Sequence, residues 1–362
     1  MSEHQYQYFH PGPPPAPQPG VVPLRPLGFG DVLTGVMNTV RRYFAQLYVP
    51  VLAATAGVLL VLAVYAVVAY GLLIDLYRQV VADKWYEPTD GQLVTLVTVA
   101  VSGWLLLVLC LGALSVVAAA TGTVVTRHAV IGKPVSTRAV WAESRRHLGR
   151  ITAEYLLLGG GALLGTAVLM VLWVAVSAVL GSAVVGVLFG LLAVACWVGL
   201  FYAQVRLTLL VPVLVMEESR PLAAFPRAWR LNEGAWLRSF GIPYVVNLIA
   251  SMGGQLVATP FVLVGVLIAL PFGADPQPPS PGVLVAAVLL FLVGVLLSTA
   301  VTLPLLPVCH ALLYVDRRIR RERLDIALGE AAGLWTTQQP PAQPAEQPAE
   351  PAAEGGGVDP AE

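Results

Sequence analysis

Few residues in this 362-residue chain have a type and spacing suited to chemistry, and most of those lie in apolar surroundings. Arg206 is the sharpest candidate. It stands in a run otherwise free of charge, where a charged side chain costs ~2.5–3.5 kcal/mol on insertion scales and is usually paired or functional. Glu217 follows eleven residues later, so Arg206 is shallow enough to snorkel to phosphates at a membrane surface. Glu154, at the start of another apolar run, is an alternative partner. Three roles stay open: a snorkelling anchor, a structural pair with Glu154, and a ligand site. Cys309 and His310 suggest a metal or proton site, but no second His, Asp or Glu stands at ligand spacing, which favours packing. Asn247 and Gln255 are eight residues apart, on one helical face. They suit interhelical hydrogen bonding or, alternatively, a pore lining.

The remaining motifs argue against catalysis. No Gly-x-Ser-x-Gly, His-Glu-x-x-His or Walker A pattern occurs. The three cysteines, Cys110, Cys196 and Cys309, form no Cys-x-x-Cys pair and sit in apolar runs, so they read as packing residues. His128 and His147 belong to a basic loop and read as solvated or interfacial. No metal, cofactor or enzymatic activity is expected. Basic loops at helix ends are better explained by anionic lipid than by nucleic acid.

The elements that must position these residues are membrane spans. Hydrophobic residues make up 57% of the chain and charged residues 12%, against about 25% charged in soluble domains. Mean hydropathy is +0.75. Stretches 43–74, 91–126, 155–205, 239–274 and 276–315 contain no Asp, Glu, Lys or Arg. A span needs about 20 apolar residues, so the third stretch must fold back once, with Gly181–Ser182 as the natural turn. Six transmembrane helices follow, at about 48–74, 91–120, 153–180, 183–211, 240–270 and 282–311. The expected fold is all-α and polytopic: three hairpins, each preceded by an amphipathic interfacial helix. These helices start near Pro26, Pro134 and Pro221. Leu33, Val36, Val40, Tyr43 and Leu47 make one stripe. Leu222, Phe225, Trp229, Asn232 and Trp236 repeat its spacing, and Trp141, Ser144, Leu148, Ile151 and Tyr155 follow it loosely. Gly161-x-x-x-Gly165 and Gly186-x-x-x-Gly190 suggest close packing between spans three and four. Pro212, Pro304 and Pro307 suggest bends at which the second helices turn toward the amphipathic ones.

Charge sorting supplies the orientation. Lys and Arg number three before span one, six after span two, four after span four and five after span six. Only Arg78 and Lys84 fall in the intervening loops. The positive-inside rule then places both termini in the cytoplasm of a cell-membrane protein. Tyr77, Trp85 and Tyr86 fit an aromatic belt on the outer face. Residues 1–25 are Pro-rich and expected to be a disordered cytoplasmic arm. Residues 26–330 form the membrane domain, and 331–362 an acidic, disordered cytoplasmic tail.

Three segments carry a family resemblance. Arg25-Pro26-Leu27-Gly28-Phe29-Gly30-Asp31-Val32-Leu33 is similar to the opening of the membrane domain of glycerophosphoryl diester phosphodiesterases and its stand-alone relatives. The central signature resembles the stretch from Arg206 through Pro212 to Glu217, then Pro221-Leu222-Ala223-Ala224 and Ala228-Trp229-Arg230-Leu231. The closing one resembles Leu312-Leu313-Tyr314-Val315-Asp316-Arg317-Arg318. The similarity covers about residues 25–330. Pro226 departs from the pattern and is expected to delay or kink the third interfacial helix. In fused members catalysis belongs to a separate soluble barrel, which these residues do not contain, so no phosphodiesterase activity carries over. The resemblance implies a non-catalytic multi-pass domain in which Arg206, Pro212, Glu217, Trp229, Arg230, Tyr314, Asp316 and Arg317 fix a layer at the inner leaflet.

The leading expectation is a scaffold or accessory protein that engages anionic inner-leaflet lipids, with an unidentified protein partner through its tails. The alternative is a lipid or small-solute transporter. The three repeats share one orientation, unlike the inverted repeats of many transporters.

Overall fold

The structure, a computed structural model, describes residues 18–83, 86–180, 183–270 and 280–331. Both tails beyond these limits, Lys84, Trp85 and the Gly181–Ser182 turn lie outside the described residues. The regular elements are helical: α1 (Phe29–Arg42), α2 (Phe44–Ala82), α3 (Asp90–Ile131), α4 (Thr137–Tyr155), α5 (Gly161–Leu180), α6 (Ala183–Arg206), α7 (Leu210–Met216), α8 (Pro221–Leu231), α9 (Trp236–Ala269), α10 (Pro281–Thr302), α11 (Leu305–Glu322) and α12 (Leu324–Ala331). Six helical stretches are long and apolar enough to cross a membrane: Phe44–Ala82, Asp90–Ile131, Thr137–Ala178, Gly186–Met216, Trp236–Ala269 and Pro281–Glu322.

Local chemistry sets the helix ends. At α1, Asp31 Oδ2 accepts the Gly28 N–H at 2.8 Å, satisfying a donor at the N-terminus. Thr89 and Gln92 reciprocate at the start of α3, and Ser136 Oγ accepts the Ala139 N–H at α4. Gly132, at φ +77°, closes α3 in the left-handed conformation open to glycine. α8 begins at Pro221 and runs through Pro226, so the expected delay is absent: Pro221 at the first helical position lacks only a donor that would have no intrahelical partner. The long second helices break where proline predicted. Residues 207–209 separate α6 from α7, and Leu303–Pro304 separates α10 from α11. α3 runs unbroken for 42 residues. Only a five-residue π turn, Leu156–Gly160, lies between α4 and α5.

Packing is concentrated at one end. The main core joins α1, the start of α2, the last turns of α3, and α4, α7, α8 and α11, with Leu27, Leu47, Val125, Ile151, Leu210, Leu214, Leu312 and Tyr314 buried in it. Residues 18–25 belong to this end rather than to the expected arm. Val21, Val22 and Leu24 are buried, and Val21 N donates to Ala129 O at 3.1 Å. Elsewhere α2 packs on α3 and α10, and α9 on α10. The α5–α6 pair stands apart: among the described residues α5 buries none and α6 only Val205, while α6 touches α9.

The three amphipathic stretches are used unequally. Val36, Tyr43 and Leu47 face the core from the first. In the third the stripe is largely turned outward: Leu222 is 79% exposed, with Trp229 and Trp236 also exposed. Ala224, Ala228 and Leu231 form its buried face. The second stripe splits, with Ser144 and Ile151 buried but Trp141 and Tyr155 exposed.

Close helix contact also falls elsewhere than expected. Among the described residues, nothing lies within 4 Å of where a Cβ would stand on Gly161, Gly165, Gly186 or Gly190. The tight seam is α9 against α10. A Cβ on Gly294 would lie 2.7 Å from Phe261 Cβ, and one on Gly254 would lie 2.6 Å from Ser298 Oγ. Overpacking of this kind costs about 1–3 kcal/mol. Gly294→Leu is therefore expected to lower the melting temperature of the detergent-purified protein, whereas Gly165→Leu and Gly190→Leu leave it near the wild-type value.

Candidate functional site

Of the polar residues singled out by sequence, Arg206, Glu217, Tyr314, Asp316 and Arg317 gather at the packed end, in three clusters. The first surrounds Asp316, whose side chain is 0% exposed on α11. Its Oδ1 accepts the Leu27 N–H at 2.9 Å and Arg320 Nε at 2.8 Å. Oδ2 lies 3.5 Å from Arg238 Nη2, an ion pair without a hydrogen bond. Arg320 and Arg238 both also donate to Leu27 O. One carboxylate thereby ties the segment before α1 to α9 and α11. Arg317, nearly buried, reaches Ala235 O at 3.5 Å.

The second cluster is a ladder between α7, α8 and α11. Arg227 clasps Glu217 through Nε and Nη2 at 3.0–3.2 Å and Glu322 through Nη2 at 2.5 Å. Its hydrogen bonds to Glu217 raise the guanidinium pKa above its ordinary value, against the lowering effect of burial. Tyr314 Oη donates to Glu217 Oε1 at 2.8 Å, and Arg318 binds Tyr314 Oη at 3.1 Å and Glu322 at 2.7 Å. The half-buried setting and shared partners make this a network rather than a set of isolated surface pairs.

The third cluster holds Arg206. The guanidinium stands over the Trp229 ring at 4.7 Å and the Tyr202 ring at 5.7 Å, and Nη1 donates to Asn232 O at 3.2 Å. Asn232, fully buried, returns hydrogen bonds to the carbonyls of Val205 and Arg206 at 2.7 and 3.2 Å, and Ser239 Oγ donates to its Oδ1. These bonds satisfy carbonyls freed where α6 ends. Of the three roles left open for Arg206, the pair with Glu154 is absent among the described residues. Glu154 is buried on α4, and its Oε2 has no hydrogen-bond partner. Aromatic faces and a carbonyl take the cation instead.

Arg230 is exposed; its Nε donates to Pro226 O, and its carbonyl accepts Arg321 Nη1 at 2.5 Å. Pro212 is buried in α7. The structure thus brings Arg206 and Trp229 into contact, links Glu217 to Tyr314, and leaves Glu154 separate. In the sequence Arg227, Arg238 and Arg320 count only as loop or terminal charges, Arg318 as the end of the closing signature and Asn232 as one stripe position, yet they supply most of the partners. Two pairs were visible as i,i+4 spacings, Asp316–Arg320 and Arg318–Glu322.

Residues suggested for a polar path do not converge. Asn247 and Gln255 are exposed on α9. Cys309 is buried among apolar neighbours. A groove of about 380 Å³ between α2, α3 and α10 is lined by Leu62, Leu73, Leu107, Leu284 and Val288, with Tyr65 and Tyr70. No family model, curated protein or solved structure was found to match the chain. Fold and site together define an all-helical protein with six helices able to span a membrane.

Removing one partner of a buried ion pair costs about 3–5 kcal/mol. Asp316→Ala is expected to lose about that much in thermal denaturation of the detergent-purified protein, while Arg25→Ala, at a 58% exposed ion pair, changes stability by no more than about 1 kcal/mol. The exchange Arg206→Glu with Glu154→Arg is expected to express no better than either single variant; recovery would show that the two side chains pair.

Proposed function

We propose that this chain is a non-catalytic scaffold or accessory protein of the cell membrane that acts at the inner leaflet and engages anionic lipid. The observation that carries this reading is the concentration of buried packing and ion pairs at the end of the molecule where 18 of the 21 Lys and Arg collect. The positive-inside rule assigns that end, with both termini, to the cytoplasm. In this topology the spans pair as three same-orientation hairpins, α2–α3, α5–α6 and α9–α10, each led by an amphipathic helix. The outward Leu222, Trp229 and Trp236, beside Arg220 and Arg230, suit the headgroup level. The resemblance to the glycerophosphoryl diester phosphodiesterase membrane domain agrees, because Arg206, Glu217, Trp229, Tyr314, Asp316 and Arg317 all fall in this layer. The tails would serve a protein partner. Transport has less support, since Asn247 and Gln255 are exposed and Arg206 is engaged by Trp229 and Asn232.

The test is lipid retention. Full-length protein reconstituted with phosphatidylcholine and phosphatidylglycerol is extracted and weighed by native mass spectrometry. Preferential retention of phosphatidylglycerol is expected, since each basic residue near an anionic surface is worth ~1 kcal/mol. Equal retention of both lipids refutes the lipid-engaging part. Orientation is tested separately in a cysteine-free background: Ser136→Cys should react with an impermeant thiol reagent only after the membrane is opened, and Thr89→Cys in intact cells.

A further inference from the structure

Beside the ion-paired layer lies a cleft of about 710 Å³ between the last turn of α3, α4 and the turn joining α7 to α8. Arg127, Lys133, Arg146 and Arg150 line it, against the carboxylates Glu143 and Glu218. Glu143 is already engaged, by Arg127 at 3.3 Å and His128 at 3.1 Å. Arg150 donates to the backbone oxygen of Glu218 at 3.3 Å. Glu218 itself sits at φ +52°, a left-handed conformation that disfavours a non-glycine residue. Lys133 and Arg146 are exposed and have no ion-pair partner among the described residues. His147 also lines the cleft; it is 6% exposed, and its Nδ1 has no hydrogen-bond partner.

We propose that this cleft binds a phosphate group. The inference deepens the anionic-lipid reading above and rests on it. Lys133 and Arg146 line the cleft with no ion-pair partner among the described residues, so an anion arriving from outside meets two cations that no carboxylate has neutralised. The chemistry favours phosphate. Planar guanidinium groups match its oxygens in paired hydrogen bonds, and an ammonium adds a compact charge. The volume lies within the roughly 300–1,000 Å³ of small-molecule sites, which leaves room for the organic part of a phosphate ester beyond the phosphate itself. A lipid headgroup and a soluble phosphate share this chemistry.

The experiment compares two double variants of the full chain in phosphatidylcholine nanodiscs, with and without phosphatidic acid. Lys133→Ala with Arg146→Ala removes two cleft cations that have no ion-pair partner among the described residues. Arg138→Ala with Arg145→Ala removes the same charge from the start and middle of α4, outside the cleft. All four side chains are exposed, so melting temperatures should stay near wild type. Calorimetry reads inorganic phosphate in lipid-neutral discs, and native mass spectrometry reads retained phosphatidic acid. About a tenfold or greater loss is expected in the first variant alone, the equivalent of one charged hydrogen bond or more. A response to inorganic phosphate in neutral discs assigns a soluble ligand; retention of phosphatidic acid without that response assigns the headgroup. Equal loss in both variants means a diffuse field and overturns the cleft while leaving the lipid reading standing. No loss in either variant, or no binding of either probe by wild type, also overturns it. The phosphatidylglycerol preference then decides separately whether the broader reading survives.

Discussion

The architecture depends on a carboxylate kept out of water. An ionised group with no exposure must be surrounded by donors and positive charge, and Asp316 takes these from the backbone of Leu27, from Arg320 one turn along its own helix, and from Arg238 on α9. Because these partners come from three places in the chain, their positions become mutually dependent. Arg238 and Arg320 both bind Leu27 O as well, so the entry to α1 is held at its amide and at its carbonyl. This arrangement fixes how α1 and α11 meet, and the apolar core beneath is built on that meeting.

From this follows the unequal treatment of repeats that look alike. Val36 and Leu47 become core because α1 is clamped against α11. Trp229 and Leu222 point outward because α8 meets the protein through small residues, Ala224 and Ala228. A common spacing of apolar side chains defines a stripe on a helix, but the partner decides whether that stripe becomes interior or surface.

The six apolar stretches were legible because length and the absence of charge are properties of a segment alone. The proline breaks after α6 and α10 were legible for the same reason: the lost donor acts within its own helix. Tertiary partners were not. Leu27 and Asp316 are 289 residues apart, and no local pattern announces that they bond. Charge alone left Glu154 as one possible partner of Arg206, but the cation stands over the rings of Trp229 and Tyr202. The Gly-x-x-x-Gly motifs misled because small residues permit close approach without compelling it; the approach occurs at Gly254 and Gly294, which no such motif marked. The early entry of Val21 and Val22 into the core was hidden by the prolines around them.

The α5–α6 pair has a consequence of its own. Among the described residues its helices bury almost nothing against the rest of the chain, and their main contact with the other long spans is to α9. Hydrocarbon, not protein, is then the medium that solvates them, and its thickness sets their tilt. A thinner or thicker bilayer would swing this pair while the clamped basic layer holds still. Lipid composition becomes a mechanical input acting on one arm of the molecule.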